Sequence, residues 1–407
     1  MGHARNKPTK KQRILIVRRP PWYAGAEVRE VNWLRAVDYE KSMVWMASSK
    51  DVFSGPIGGY GLPVECIPIP PELSVKGNPI RVFFSWLRFF RRARPTKIIM
   101  PDGYFLEWPL ATVLAGYIAT LGNVYMSEHT PFPDAPEKKP RRHFGFVPGL
   151  YWYWFVLPLR ARAYLSRCVL VSSNGLKQWI VRNYGYPPDK IVVLPPGLET
   201  SRFHPAEDGL KTSLRDSLGI PRDALLIVST ARFDGNKRVD RIIKAFDSLT
   251  ATREDLWLLL AGEGPRDQEV RSLAHSSRAS GRIKFLGQLK DVAGLLQASD
   301  IFVLSSRFEA LSLALLEAMA TGLVCVATRT QGPPEIVNDG VNGFLVDNSS
   351  EGVLQGLRSV LAMTEQERMR MGRLARQRIE ANHLLEANLK NVLRTLGIPA
   401  TDSAICK

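Results

Sequence analysis

Short apolar runs recur along the chain, each followed by a longer mixed stretch. Residues 13–17 (RILIV), 43–48 (MVWMAS), 97–101 (KIIMP), 123–127 (NVYMS), 168–173 (CVLVSS) and 191–197 (IVVLPPG) have the length and composition of buried strands. Val28, Val31, Leu34 and Val37 fall at helical spacing and predict a helix near 26–37. A second helix, rich in Leu and Ala, is expected from about 108 to 121. The pattern restarts at 225–231 (LLIVSTA), 256–262 (LWLLLAG), 283–287 (IKFLG), 301–306 (IFVLSS) and 324–328 (VCVAT). Helices are expected over 239–249 and 268–279, and an arginine-rich helical stretch over about 364–396. Continuous Ile/Val/Leu strands separated by helices mean parallel sheets covered on both faces. Residues 198–223, with His204, Pro205, Gly209, Gly219 and Pro221, read as a linker and re-entry. The expected fold class is therefore α/β, with two Rossmann-like doubly wound domains. Their expected extents are 1–198 and 199–380, with a helix and tail over 381–407 that returns to the first domain.

Length and composition agree. The 407 residues suit two cores rather than one. A hydrophobic fraction of 45% and a charged fraction of 23% exclude disordered, collagenous and disulfide-scaffold classes. Charge changes the picture more. The chain carries 55 Lys+Arg against 39 Asp+Glu, a formal net of +16. Residues 1–200 hold 28 basic and 14 acidic side chains, so nearly all of the excess lies in that half. One half faces something negative and the other resembles an ordinary enzyme domain. Cys66, Cys168, Cys325 and Cys406 lie far apart without CxxC spacing, so neither a zinc site nor a disulfide framework is expected, and a reducing cytosol is. No signal-peptide core, myristoylation signal or stretch long enough to span a membrane is expected.

Three strand-to-helix junctions could carry chemistry, because open α/β sheets bind ligands beyond the carboxyl ends of their strands. RRPPWYAGAEV offers Gly25 for close backbone approach at a helix start, with Arg18 and Arg19 as either anion ligands or surface charge. TARFDGNKRVD sends Arg232 and Lys237 from one turn, which suits a diphosphate leaving group. The alternative is a solvated basic turn. SSRFEALSLALLEAMATG places Glu309 in a loop, Ser312 at a helix N-cap, Glu317 inside the helix and Gly322 at its stop. The amides of Ala310, Leu311, Ser312 and Leu313 would line the helix mouth, where a polyol would meet amide donors and carboxylate acceptors.

The combination resembles the nucleotide-sugar-binding half of retaining glycosyltransferases of the GT-B fold, family 4, glycosyl transferases group 1. Arg232 and Lys237 are similar to the family's cationic turn, and Glu309 and Glu317 to its E-x7-E signature. QGPPEIVNDGVNGFLV resembles its GGxPE-type loop, and AGEGP and FLGQL fall in the family's order. Earlier in the chain, Ala24-Gly25-Ala26-Glu27 is similar to a GGAE loop, with Ala24 where a first glycine is usual. His129 in MSEHT resembles the family's histidine. The resemblance implies two domains facing each other across a cleft and a nucleoside-diphosphate sugar as donor, with no cofactor and no metal. No DxD-type motif is present in the sequence. It further implies that Arg232 and Lys237 neutralise the diphosphate and that Glu317 accepts from the ribose. Glu309 and the following amides would position the sugar, and Gly25 would approach the diphosphate. His129 would lie near the sugar or acceptor, and the base near Gly287–Leu289 (Gly287, Leu289). Glu335 is expected to be structural.

The acceptor must be read from the basic half. Residues 81–95 (RVFFSWLRFFRRARP) and 138–162 (KKPRRHFGFVPGLYWYWFVLPLRAR) mix aromatic clusters with Arg and Lys. That mixture suits an anionic membrane surface, with a lipid-linked glycan or surface polysaccharide as acceptor and a peripheral location at the inner face of the cell membrane. Core helices with basic ends are the alternative for these segments. A soluble transferase acting on a small metabolite, or an idle scaffold binding an anionic polymer, are alternatives for the chain. A nucleic-acid partner is not expected, since no binding module accompanies the charge.

Overall fold

The computed structural model describes residues 11–17, 32–48, 61–70, 73, 78–102, 109–128, 157–207 and 209–401. The chain divides into two compact units: Met1–Ser172, Leu176–Leu194 and Glu386–Lys407 form one, and Ser173–Gly175 and Pro195–Leu385 the other.

The first unit is built on β1 (Gln12–Val17), β2 (Ser42–Ser48), β3 (Val64–Pro68), α1 (Pro79–Ala93), β4 (Lys97–Asp102), α2 (Leu110–Thr120), β5 (Val124–Glu128), α3 (Leu157–Leu165), β6 (Cys168–Val171), α4 (Asn174–Tyr184) and β7 (Ile191–Val193). Its seven strands run in the order β3-β2-β1-β4-β5-β6-β7. Every pairing is parallel, for example Leu15 with Trp45 and with Ile98. β1 ends in four fully buried residues, Ile14 to Val17, because the sheet is covered on both sides there. The edge strand β3 was not expected: VECIP has no apolar run, and most of it faces solvent. Of the helix expected over 26–37, residues 32–35 are helical, and 26–31 lie outside the described residues.

The second unit holds α5 (Leu210–Leu218), β8 (Leu225–Thr230), α6 (Val239–Leu249), β9 (Leu256–Ala261), α7 (Asp267–His275), β10 (Ile283–Gly287), α8 (Ala293–Ala298), β11 (Ile301–Leu304), α9 (Leu313–Ala320), β12 (Val324–Thr328), α10 (Pro333–Ile336), β13 (Phe344–Val346), α11 (Ser350–Ala362) and α12 (Glu365–Asn382). Its six parallel strands run β10-β9-β8-β11-β12-β13. Successive residues of each central strand enter opposite cores. Leu226, Val228, Phe302 and Leu304 join one cluster, and Ile227, Ile301 and Val303 the other. This two-sided burial is why the strands read as unbroken apolar runs rather than alternating ones. The short edge strand β13 gave no such signal.

Two features fix the end of this unit. Thr364 and Glu367 form a capping box at the start of α12, which satisfies two orphan donors. The helical stretch expected over 364–396 is broken at His383 and Leu384, before α13 (Leu385–Leu396). There the Leu198 amide donates to the His383 carbonyl at 2.7 Å, and the Leu385 amide donates to the Leu198 carbonyl at 3.0 Å. Backbone pairing with a segment far away in sequence has replaced the helical bonds, at the point where the chain passes from one unit to the other.

Candidate functional site

The strand order of the second sheet reverses between β8 and β11, which pair directly, Ile227 with Ile301. The loops that leave their carboxyl ends therefore lie side by side, at the switch point where such sheets hold ligands. After β8, Asp234 Oδ1 accepts from the amides of Asn236 and Lys237, each at 2.9 Å. That turn presents Asn236 to the neighbouring loop. Its Nδ2 donates to the Phe308 carbonyl at 3.0 Å, and its Oδ1 accepts from the Phe308 amide at 3.1 Å. Ser305 reaches back, donating to the carbonyls of Lys237 and Arg238 at 2.8 and 2.9 Å.

Loops joined in this way fix their side chains. Lys237 Nζ lies 2.5 Å from Glu309 Oε2, and the Ser306 hydroxyl donates to the same oxygen at 3.1 Å. Lys237 is about three-quarters buried and Glu309 more so, which strengthens their attraction over that of an exposed pair. Arg232 Nε stands 3.9 Å from Asp234 Oδ2 in the same turn. Three of the residues expected from sequence, Arg232, Lys237 and Glu309, thus belong to one zipped pair of loops.

Glu309 leads into the start of α9. The Ser312 hydroxyl caps that helix, accepting from the Leu315 amide. Among the described residues, no acceptor meets the amides of Ala310, Leu311, Ser312 or Leu313. Orphan amides at a helix start carry partial positive charge and favour anions or hydroxyl oxygens. The segment is clamped from behind by Gly332, whose amide donates to the Glu309 carbonyl at 2.9 Å. A Cβ on Gly332 would sit 1.8 Å from the Ala310 carbonyl oxygen, so only glycine fits. Gly322 ends the helix at φ 81, and its carbonyl oxygen would lie 2.0 Å from a Cβ on Gly372 of α12.

Glu317 is the one polar residue of α9, set among buried Leu315, Leu316, Ala318 and Met319. Its carboxylate makes no hydrogen bond among the described residues. Loss of water pushes its pKa up to about 7, with Arg202 opposing the rise and Asp291 adding to it. Arg202 is itself held by Asp291 at 3.0 Å. On the edge strand, Gly287 takes φ 64, and its carbonyl accepts from the Gly262 amide at 2.7 Å. Leu289 beyond it is exposed. Glu335 accepts from the Gly175 amide at 2.6 Å and from Asn174 Nδ2 at 3.2 Å, a structural use of its carboxylate.

Gly25 and His129 lie outside the described residues, as do Arg18, Arg19 and most of 138–162. Beside His129, however, Glu128 is fully buried and accepts from Arg162 and from the Tyr186 hydroxyl, both at 3.2 Å. Sequence reasoning passed over Glu128, Asn236 and Ser306. An acid closing a buried strand was a usable signal for the first. Asn236 gains its meaning only from a loop 72 residues away, whereas Ser306 bonds to a carboxylate three residues on in its own loop.

Comparison with known proteins decides the family. The model for glycosyl transferases group 1 matches residues 211–378, and that for Glycosyltransferase Family 4 matches residues 32–202. The chain belongs to the group 1, family 4 glycosyltransferases. Relatives include the N-acetyl-alpha-D-glucosaminyl L-malate synthase of Bacillus anthracis, 34% identical over 41% of this chain and 44% of that protein. Another is the GDP-mannose-dependent monoacylated alpha-(1-6)-phosphatidylinositol monomannoside mannosyltransferase of Corynebacterium glutamicum, 32% identical over 50% of this chain and 55% of that protein. The matches span about half the length of these curated relatives. The solved structure of Anabaena HepE with UDP-glucose shares the fold, with a TM-score of 0.74 at 18% identity over 95% of this chain and 99% of that one. The α/β architecture with two parallel sheets is thus the GT-B arrangement of the family.

Proposed function

We propose that this chain is a retaining glycosyltransferase that moves a hexosyl group from a nucleoside-diphosphate sugar to a membrane-associated acceptor, lipid-linked or part of a surface polysaccharide. The observation that carries this reading is the convergence, at the switch point of the second sheet, of Arg232, Lys237 and four unfilled amides beside Glu309. A departing diphosphate needs preorganised positive charge where its own charge develops. Two cations and a helix start provide it from protein groups, so the reading needs no metal. A dianion arriving here would share Lys237 with Glu309 and leave that carboxylate to accept a sugar hydroxyl. Glu317 would accept from the ribose, with the base near Gly287 and Leu289; Gly25 would serve the diphosphate and His129 the sugar or acceptor.

The membrane-associated acceptor is supported by the basic excess of residues 1–200 and by relatives whose names give phosphatidylinositol mannoside and lipopolysaccharide core as their targets. Among the described residues no helix is long and apolar enough to cross a membrane, and the proposed location is peripheral, at the cytoplasmic face. The test is turnover of nucleotide sugars by Arg232→Ala and Lys237→Ala. Each is expected to lose about 100-fold or more in kcat while the chain stays folded by circular dichroism. Wild-type kinetics in both variants would refute the reading.

A further inference from the structure

The first unit carries an apolar, positively charged helical face that its own core does not explain. Helix α1 packs along α2, and α2 along α3, so the three form one layer. α1 buries Val82, Trp86, Leu87 and Phe90. Its opposite stripe leaves Ile80 66% and Phe84 58% exposed and continues into exposed Arg88, Arg91 and Arg92. The helix has no acidic residue, and Arg94 caps its end. Beside it, α2 leaves Tyr117 and Ile118 exposed, and the residue that caps α2, Leu121, is 92% exposed. Leu121 also holds φ 53, a left-handed conformation that disfavours a bulky side chain, although Gly122 follows it. The left-handed backbone closes α2, with the Leu121 amide donating to the Tyr117 carbonyl, and it leaves the leucine side chain open to water.

We infer that this face docks on a bilayer containing anionic lipids, with Ile80, Phe84, Tyr117, Ile118 and Leu121 entering the headgroup–acyl boundary and the α1 arginines pairing with lipid phosphates. Two other occupants fit less well. A second copy of this chain would set one row of arginines against another. A nucleic acid would satisfy the arginines but gain little from Ile80, Ile118 and Leu121, which offer no stacking surface. A bilayer uses both halves of the pattern, apolar insertion and anionic attraction. The inference deepens the proposed membrane-associated acceptor by naming the surface that meets the membrane, and it rests on that reading only for the acceptor's location.

The experiment is sedimentation of the full chain with vesicles of equal parts phosphatidylglycerol and phosphatidylcholine, compared with phosphatidylcholine alone. Nucleotide-sugar binding is followed in the same samples by thermal shift. The wild type is expected to sediment with the anionic vesicles only, and less so as salt rises. Each arginine near an anionic surface is worth about fivefold in partition, so Arg91→Gln/Arg92→Gln is expected to lose about 25-fold. Phe84→Ser/Leu121→Ser is expected to lose about tenfold or more in partition at unchanged salt dependence. Both variants change exposed side chains and are expected to melt and bind nucleotide sugar as the wild type does. Binding to nucleotide sugar without vesicle binding overturns the docking surface and leaves the transferase reading standing. Vesicle binding without nucleotide-sugar binding does the reverse. Retention of partition in both variants, or capture of the chain by duplex DNA with the same residue dependence but no vesicle binding, also overturns the surface.

Discussion

Glu317 gives a prediction in which function and stability pull apart. Its carboxyl pKa is pushed up to about 7 in the folded chain, against an ordinary 4.5, because burial strips it of water and no hydrogen-bond partner replaces that water among the described residues. Between those values the folded state holds a proton that the unfolded state has lost, so stability falls as pH rises from 4.5 through 7. The shift corresponds to about 3 kcal/mol at 1.36 kcal/mol per unit, and partial solvent contact reduces the expected effect to about 2 kcal/mol. Glu317→Gln removes the charge at every pH. The variant should therefore match the wild type near pH 5, apart from a constant offset, and exceed it by about 2 kcal/mol at pH 8. At about 2–4 °C per kcal/mol for a unit of this size, the melting temperature should rise by about 4–8 °C. Buried His383, whose pKa burial lowers, titrates alike in both proteins and cancels in the difference. The assay is a set of thermal melts from pH 5 to 8, with and without a nucleotide sugar. Ribose hydroxyls donating to Glu317 would favour its ionised form, so ligand binding at pH 6 should release part of a proton in the wild type and none in the variant. Calorimetry in buffers of different ionisation enthalpy reads that release. Parallel stability curves for the two proteins would refute the desolvation argument; equal proton release would refute the ribose role.

Other consequences follow from the same unit. Gly332→Ala places a Cβ against the Ala310 carbonyl and should displace the 309–313 segment, weakening nucleotide-sugar binding about tenfold or more in a titration while far-ultraviolet circular dichroism stays unchanged. Asn236→Ala removes the two bonds to Phe308 and should cost about 1–3 kcal/mol in urea unfolding, because it strands a backbone donor and acceptor. Arg215, buried on Asp300 at 2.6 Å and on three carbonyls, is a structural cation. Arg215→Met should cost about 3–5 kcal/mol in the same assay and leave the nucleotide-sugar affinity of the folded fraction intact.

How far the sequence carried depended on whether the signal was local. The central strands β8, β9, β11 and β12 were legible because burial on both faces demands unbroken apolar runs. Strands β3 and β13 were not, since VECIP is mostly exposed and carries no apolar run, and FLV is only three residues long. Helix α9 announced itself through Ser312 and Gly322, residues whose roles at a cap and a stop are set within one turn of chain. Arg232, Lys237 and Glu309 could be named as candidates from their junctions. Their meeting could not be, because Lys237 and Glu309 stand 72 positions apart.

The amino-acid order alone therefore determined the α/β class, the positions of the central strands, the basic bias of the first half and the identity of the charged residues at the switch-point loops. These follow from periodicity, capping and composition, which act over a few residues. Only the tertiary structure decided that Lys237 lies on Glu309, that Gly332 clamps the start of α9 and that Glu317 loses water. It also decided that the exposed stripes of α1 and α2 share one layer. Each of these depends on which strands are neighbours in a sheet, and strand order is set by packing across the whole unit rather than by any one segment.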